Sequence, residues 1–155
     1  MSAQVNEALP RFRPMVEADI VVILEIEESA YTHPWTETIF SDCLRAGYCC
    51  WILEAEGFII GYGIMTVGAG ECHLLNLCVR PAMHRRGIGG RLLEHLTDLA
   101  REHHAEVMLL EVRPSNAVAR RLYYNNGFNE VGMRRNYYPA GNGREDALIM
   151  ARSLV

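Results

Sequence analysis

Lysine is absent from this chain of 155 residues: all fifteen of its basic residues are arginine. Without lysine there is no Schiff base, no pyridoxal-phosphate anchor and no P-loop, whose grip on phosphate uses that side chain. Long apolar runs are missing too, and none reaches the roughly 18 residues that mark a membrane helix. Residues 1–10 show neither a basic n-region nor an apolar h-region, so the expectation is a soluble, cytoplasmic protein. There is no general excess of positive charge, the formal net charge being −4, which argues against a nucleic-acid binder. The five cysteines are odd in number and lack the spacing of a disulfide framework, which fits a reducing compartment. Neither Cys49-Cys50 nor Cys72-His73 has the spacing of zinc ligands, and no metal site is expected.

What remains is a chain of ordinary globular composition, and its length suits one domain spanning residues 1–155. After a loose lead-in over residues 1–10, a short strand is expected at 11–15. Between Ala18 and Ala30, Ile20, Ile23, Leu24 and Ile26 or Glu27 recur at near-helical spacing, with Glu25, Glu27 and Glu28 available to face water. Pro34 stops that helix, and Thr36 is a reasonable N-cap for a second one through Leu44, ended by Gly47. Three strands, 48–55, 58–67 and 72–80, follow with connections short enough to make them antiparallel neighbours. A helix then runs to about His104 and leads to a strand at 106–112, which the crossover makes parallel to its predecessor. Asn116 caps a helix ending at Asn126-Gly127. Strands at 128–135 and 146–153 close the chain, joined by a loop containing Tyr137, Tyr138 and Pro139. The pattern predicts an α/β fold, a mixed sheet with helices on both faces.

The stretch His84–Leu93, HRRGIGGRLL, lies where an apolar strand passes through a glycine turn into a helix. Glycines let a backbone approach a ligand closely, and the first helical turn offers unpaired N–H groups at the positive end of the dipole. That combination binds anions, phosphate above all. A dinucleotide fingerprint beginning at Gly87 would need a third glycine or alanine where Leu92 stands. The cradle that survives is made of backbone and of arginines, with Arg80, Arg85, Arg86 and Arg91 clustered around the turn.

Two further features carry chemistry. Glu111 interrupts the apolar run Val107–Val112, and a carboxylate in such a strand is costly unless it is paired, hydrated or functional. It is either a general base or the partner of Arg113 or another nearby arginine. On the next helix, Asn116, Arg120 and Tyr123 share a face, which points back toward the strand ends where open α/β sheets bind ligands.

The segment Val79–Leu93, VRPAMHRRGIGGRLL, resembles the acetyl-CoA motif, Q/R-x-x-G-x-G/A, of the GNAT N-acetyltransferase superfamily. Four segments resemble its RimI branch, the bacterial ribosomal-protein-alanine N-acetyltransferases. These are His33-Pro34-Trp35, Leu110–Arg113 with Ser115-Asn116-Ala117, Arg134–Pro139, and Gly143–Ala147. The resemblance covers nearly the whole chain after residue 11. It implies a GNAT fold with a mostly antiparallel sheet of about seven strands. It implies acetyl-CoA as co-substrate, with Leu77, Cys78 and Val79 lining the pantetheine arm and Arg85, Arg86, Gly87, Ile88, Gly89 and Gly90 surrounding the pyrophosphate. Asn116 would contact the cofactor from its helix. His84 stands where the motif usually has Gln or Arg. Glu111 matches the family's general base and Tyr123 its general acid, since Tyr123 rather than Tyr124 lies four residues before Gly127.

The acceptor implied is the N-terminal alanine of a ribosomal small-subunit protein, protein eighteen, without nucleic acid, membrane or metal. Trp35, Tyr137 and Tyr138 are the candidate walls for that peptide, and Glu25, Glu27 and Glu28 either attract a basic tail or form a solvated helix face. A neutral amine would attack the thioester directly, with a backbone N–H near Val79 polarising the carbonyl and the phenol protonating the departing thiolate. Cys78 raises a ping-pong alternative, against which stands its place on a packed strand without an evident base. The competing functions are acetylation of other protein N-termini or small amines, and a non-catalytic acetyl-CoA-binding module.

Overall fold

The computed structural model describes residues 9–155, so the lead-in expected over residues 1–10 lies outside it save for Leu9 and Pro10. Strand β1 (Arg11–Pro14) is followed by a one-turn 3₁₀ segment at Glu17–Asp19 and helices α1 (Ile20–Ala30) and α2 (Glu37–Arg45). Arg13 holds the start together by bonding Asp19 and Glu54 at once. Thr36 caps α2 as expected, its hydroxyl accepting from the Ile39 N–H. Three strands then meander: β2 (Cys49–Ala55), β3 (Phe58–Gly68) and β4 (Glu71–Val79). The chain crosses over through α3 (Ile88–Glu102) to β5 (Val107–Val112), and finishes with α4 (Ala117–Asn125), β6 (Asn129–Ala140) and β7 (Gly143–Ser153).

The seven strands form one sheet in the order β1-β2-β3-β4-β5-β7-β6. Every pair is antiparallel except β4 and β5, as a strand–helix–strand crossover requires. Helices cover both faces. Ile20, Ile23 and Ile26 of α1 and Phe40 of α2 pack with Ile52, Tyr62 and Ile64 on one side. Leu93, Leu96 and Ala100 of α3 pack with Met65, Leu74 and Met108 on the other. Among the described residues no helix is long and apolar enough to cross a membrane.

The expected loop between 135 and 146 is strand instead. Strand β6 pairs with β7 as far as Tyr138↔Glu145, Pro139↔Arg144 and Ala140↔Gly143. Proline and glycine signalled a loop here, but β6 is the sheet's edge strand, where the missing N–H of Pro139 disrupts no second ladder. An irregularity between Arg134 and Tyr138 absorbs the extra residues, with Asn136 at φ 55°.

Helix α3 lies close on β3 because two glycines make room for it. A Cβ on Gly61 would sit 2.7 Å from Leu92 Cδ1 and 2.9 Å from the Cys78 carbonyl oxygen, and one on Gly63 would sit 2.6 Å from Leu96 Cδ1. The Cys78 carbonyl is backbone and cannot step aside. Gly61→Ala is therefore expected to lower stability by about 1–3 kcal/mol, read as a lower Tm. Gly68→Ala, where a Cβ meets nothing within 4 Å, changes it by less than about 0.5 kcal/mol.

Candidate active site

Strands β4 and β5 pair only from Glu71↔Val107 to Leu74↔Leu110, although β4 continues to Val79 and β5 to Val112. The ladder ends where β4 carries an extra residue, Leu75, opposite the Ile64–Met65 step of β3. A bulge bends its strand and increases the local twist, and β4 leaves β5 at that residue. Between the parted strands lies a cleft of about 450 Å³. Leu77 from β4, Glu111 from β5, Asn116 and Tyr123 from the α4 region, Trp35 after α1, and Tyr137 and Tyr138 from β6 all line it.

Glu111 does not pair with Arg113. Its Oε2 lies 2.5 Å from His73 Nε2 and its Oε1 lies 3.5 Å from Arg134 Nε. Arg113 instead donates to the Pro139 carbonyl at 2.8 Å and to Glu145 Oε1 at 3.2 Å, with its guanidinium over the Tyr138 ring. Glu145 also accepts from the Ser115 N–H and hydroxyl. This knot fastens the loop before α4 to the β6–β7 hairpin and so holds the Tyr138 wall in place.

On the opposite wall Tyr123 is buried, while Tyr124 is exposed and hydrogen-bonded to Glu130. Burial, with a smaller contribution from Tyr138, holds the Tyr123 phenol well above its ordinary pKa, so it keeps its proton throughout the neutral range. Asn116 caps α4, its side-chain oxygen accepting from the Ala119 N–H at 3.1 Å.

Two cleft residues were not expected there. Tyr31 donates its hydroxyl proton to the Leu77 carbonyl at 2.8 Å, satisfying a backbone acceptor on the unpaired stretch of β4. Glu27, which the sequence leaves either on the periodic face of α1 or facing water with Glu25 and Glu28, is 2% exposed. It accepts from Tyr62 Oη at 2.7 Å, Asn76 Nδ2 at 3.1 Å and the Trp35 N–H at 2.9 Å. One carboxylate thus ties α1, β3, β4 and the Trp35 loop together around the cleft floor, and it is no attractant for a basic tail. Only Glu25 and Glu28 face water.

The glycine turn lies beyond the free end of β4. Gly87 takes φ 73° at the N-terminus of α3, and no side chain caps that helix. The N–H groups of Ile88, Gly89 and Gly90 are left for a ligand by helix geometry. Space above Gly87 and Gly90 is open, with nothing within 4 Å of an added Cβ, while Gly89 lies close to Leu122 of α4. Arg85, at φ 64°, and Arg86 are exposed beside the turn. His84 donates from Nε2 to the Val79 carbonyl at 2.9 Å, folding the turn back on the strand.

Of the expected cofactor residues, Cys78 turns its side chain into the core. Its thiol is buried among α1, α2 and β3 side chains and pushed up to about 11, chiefly by burial. Those are the properties of a core thiol and not of a nucleophile. Among the described residues no group of three His, Cys, Asp or Glu side chains gathers as a metal site.

The sequence profile of the Acetyltransferase (GNAT) family matches residues 20–128, from the first turn of α1 to the residue before β6. The chain belongs to that family. Within it, the chain is 41% identical over 133 residues to the ribosomal protein bS18-alanine N-acetyltransferase of Escherichia coli K12, covering 86% of this chain and 90% of the relative. It is 36% identical over 138 residues to the enzyme of that name from Haemophilus ducreyi, covering 88% and 95%. The crystal structure of the E. coli ribosomal-protein-S18-alanine N-acetyltransferase matches the fold with a TM-score of 0.87 at 38% identity, over 94% of both chains.

Removing the Glu27 carboxylate strands two buried donors, on Tyr62 and Asn76, and the part-buried Trp35 N–H. Glu27→Ala is expected to cost about 3 kcal/mol in urea unfolding. Glu25→Ala and Glu28→Ala, at exposed positions of the same helix, change stability by less than about 0.5 kcal/mol.

Proposed function

We propose that this acetyltransferase moves the acetyl group of acetyl-CoA to the N-terminal alanine amine of ribosomal protein bS18 in the cytoplasm. The observation that carries the reading is the placement of a carboxylate, Glu111, and a buried protonated phenol, Tyr123, in one cleft of a chain so similar to the bS18-alanine N-acetyltransferases. The groups around the cleft fit acetyl-CoA. The uncapped start of α3 and the open space over Gly87 and Gly90 suit a pyrophosphate, with Arg85 and Arg86 at hand for charge. The unpaired edge of β4 from Leu75 to Val79 suits the amides of a pantetheine arm, and Leu77 with Asn116 borders it.

Bound acetyl-CoA supplies an activated acetyl thioester. Glu111 then takes a proton from the acceptor ammonium, directly or across a water, because only the neutral amine is a nucleophile. Tyr123 holds the proton that the reaction requires on the leaving side. Trp35, Tyr137 and Tyr138 give the peptide's first residues an aromatic channel, which the Arg113–Tyr138 contact and the Glu27–Trp35 bond keep open.

The test is acetyl transfer to synthetic hexapeptides and small amines, followed by mass. The wild type is expected to modify the peptide carrying the bS18 N-terminus, beginning with alanine, in preference to other N-termini and to polyamines. Glu111→Gln should lower kcat/KM by about 10²–10⁴-fold, the usual contribution of a general base, and Tyr123→Phe should lower kcat. Acetyl-CoA binding without turnover of any peptide overturns the acceptor assignment, and full rates in both variants overturn the two roles.

A further inference from the structure

His73 lies outside the glycine turn, the α4 face and the aromatic walls, yet it makes the shortest polar contact to Glu111. It sits on β4 in register with Leu109 of β5, two residues before Glu111, within the last paired rungs before the strands part. The ring is therefore anchored on intact sheet while the carboxylate faces the opening. Its side chain is 35% exposed against 10% for Glu111, so the imidazole stands between a sheltered carboxylate and solvent. Facing the pair from β6 are Arg134, at 3.5 Å from Oε1, and Tyr138, whose phenol is raised chiefly by burial and, to a smaller extent, by Tyr137 and the Glu111 charge. The neighbours of His73 in register, Thr66 on β3 and Leu109 on β5, carry no charge.

We propose that His73 is a positioning residue for Glu111 whose protonation state sets how well the carboxylate acts as a base. The proposal rests on the reading of Glu111 given above. With a neutral ring, Nε2–H donates to Oε2 and fixes the carboxylate's orientation, leaving each oxygen with lone-pair capacity toward the cleft. Imidazole is the side chain that changes charge between about pH 5 and 8. When Nδ1 takes a second proton, His73 becomes a cation against Oε2, and a cation favours the ionised carboxylate. Glu111 is then a weaker base and the acceptor amine keeps its proton. Acetyl transfer consequently falls on acidification by more than protonation of the acceptor alone demands, and returns as pH rises. The balance is simple: one proton leaves the ammonium for Glu111, and Nε2–H stays on the ring throughout.

Two variants separate orientation from charge. His73→Gln keeps an N–H donor within reach of Oε2 but cannot become a cation, whereas His73→Ala loses both. With the bS18 peptide as acceptor, His73→Ala is expected to lower kcat about tenfold at alkaline pH and to lose the extra fall on the acid side, while leaving KM for acetyl-CoA unchanged. His73→Gln is expected to restore most of the kcat at alkaline pH and to lose the extra fall on the acid side. Wild-type kcat and pH profile in His73→Ala overturn the proposal, as does a His73→Gln enzyme that is slow yet keeps the wild-type profile. A readout independent of turnover is the far-downfield imidazole N–H proton in NMR spectra. It should be present in the wild type and absent from both His73→Gln and Glu111→Gln. If that resonance is missing, the pair is wrong whatever the activity. If it is present in a protein that acetylates no amine, the pair stands and the acetyl-transfer reading falls.

Discussion

The end of the β4–β5 ladder at Leu74 and Leu110 is the constraint on which the rest depends. A parallel pair needs a crossover, and here the crossover helix is α3, so the turn into α3 necessarily lies at the free end of β4. Parting the strands exposes the backbone of Leu75–Val79 on one edge, and buried backbone groups need partners. Tyr31 satisfies the Leu77 carbonyl, and His84 satisfies the one at Val79. The other edge groups remain for a ligand. One departure from regular pairing thus creates a cleft, a row of unpaired amides and a helix start at its end.

The same bulge decides which side chains see the cleft. Before Leu75, Cys72 and Leu74 point toward α3, whereas after it Cys78 packs among α1 and α2 residues. That reversal seals the Cys78 thiol in the core and turns Leu77 to the opening, so a nucleophilic cysteine is excluded by the geometry of the strand. On β3 the adjustment is of another kind. Gly61 and Gly63 remove the side chains that would hold α3 away, and Leu92 and Leu96 fill the space.

Much of this was legible because it is local. The 3.6-residue recurrence of Ile88, Leu92, Leu93 and Leu96 defines α3, the short turns at Glu56-Gly57 and Ala69-Gly70 define the meander, and Thr36 and Asn116 announce their helices. What escaped depends on distant partners. Ile26 and Glu27, three and four residues after Ile23, both fall on the buried stripe of α1, but the pattern gives no reason for a carboxylate there. Glu27 is tolerated only because Tyr62 and Asn76 reach it from two strands. The Asn136–Pro139 segment reads as a loop in the sequence because proline forbids an inner strand but not an edge, and edge position is a property of the sheet. His73 carried no signal beyond its residue type, because its significance comes from the register that brings β4 beside β5.

The cleft contains two sheltered carboxylates in unlike surroundings, and environment is what gives similar groups different work. Glu27 has both oxygens occupied by neutral donors on three separate segments and almost no exposure. Every one of those bonds ends on the fold itself, and one of them fixes the Trp35 loop. Glu111 meets two ionisable groups instead, His73 at one oxygen and Arg134 at the other, and both partners extend toward solvent. The proposed base must be able to change charge and then be reset, and the second arrangement suits that role better than the first. The architecture therefore separates the carboxylate that holds the cleft together from the one free to act in it.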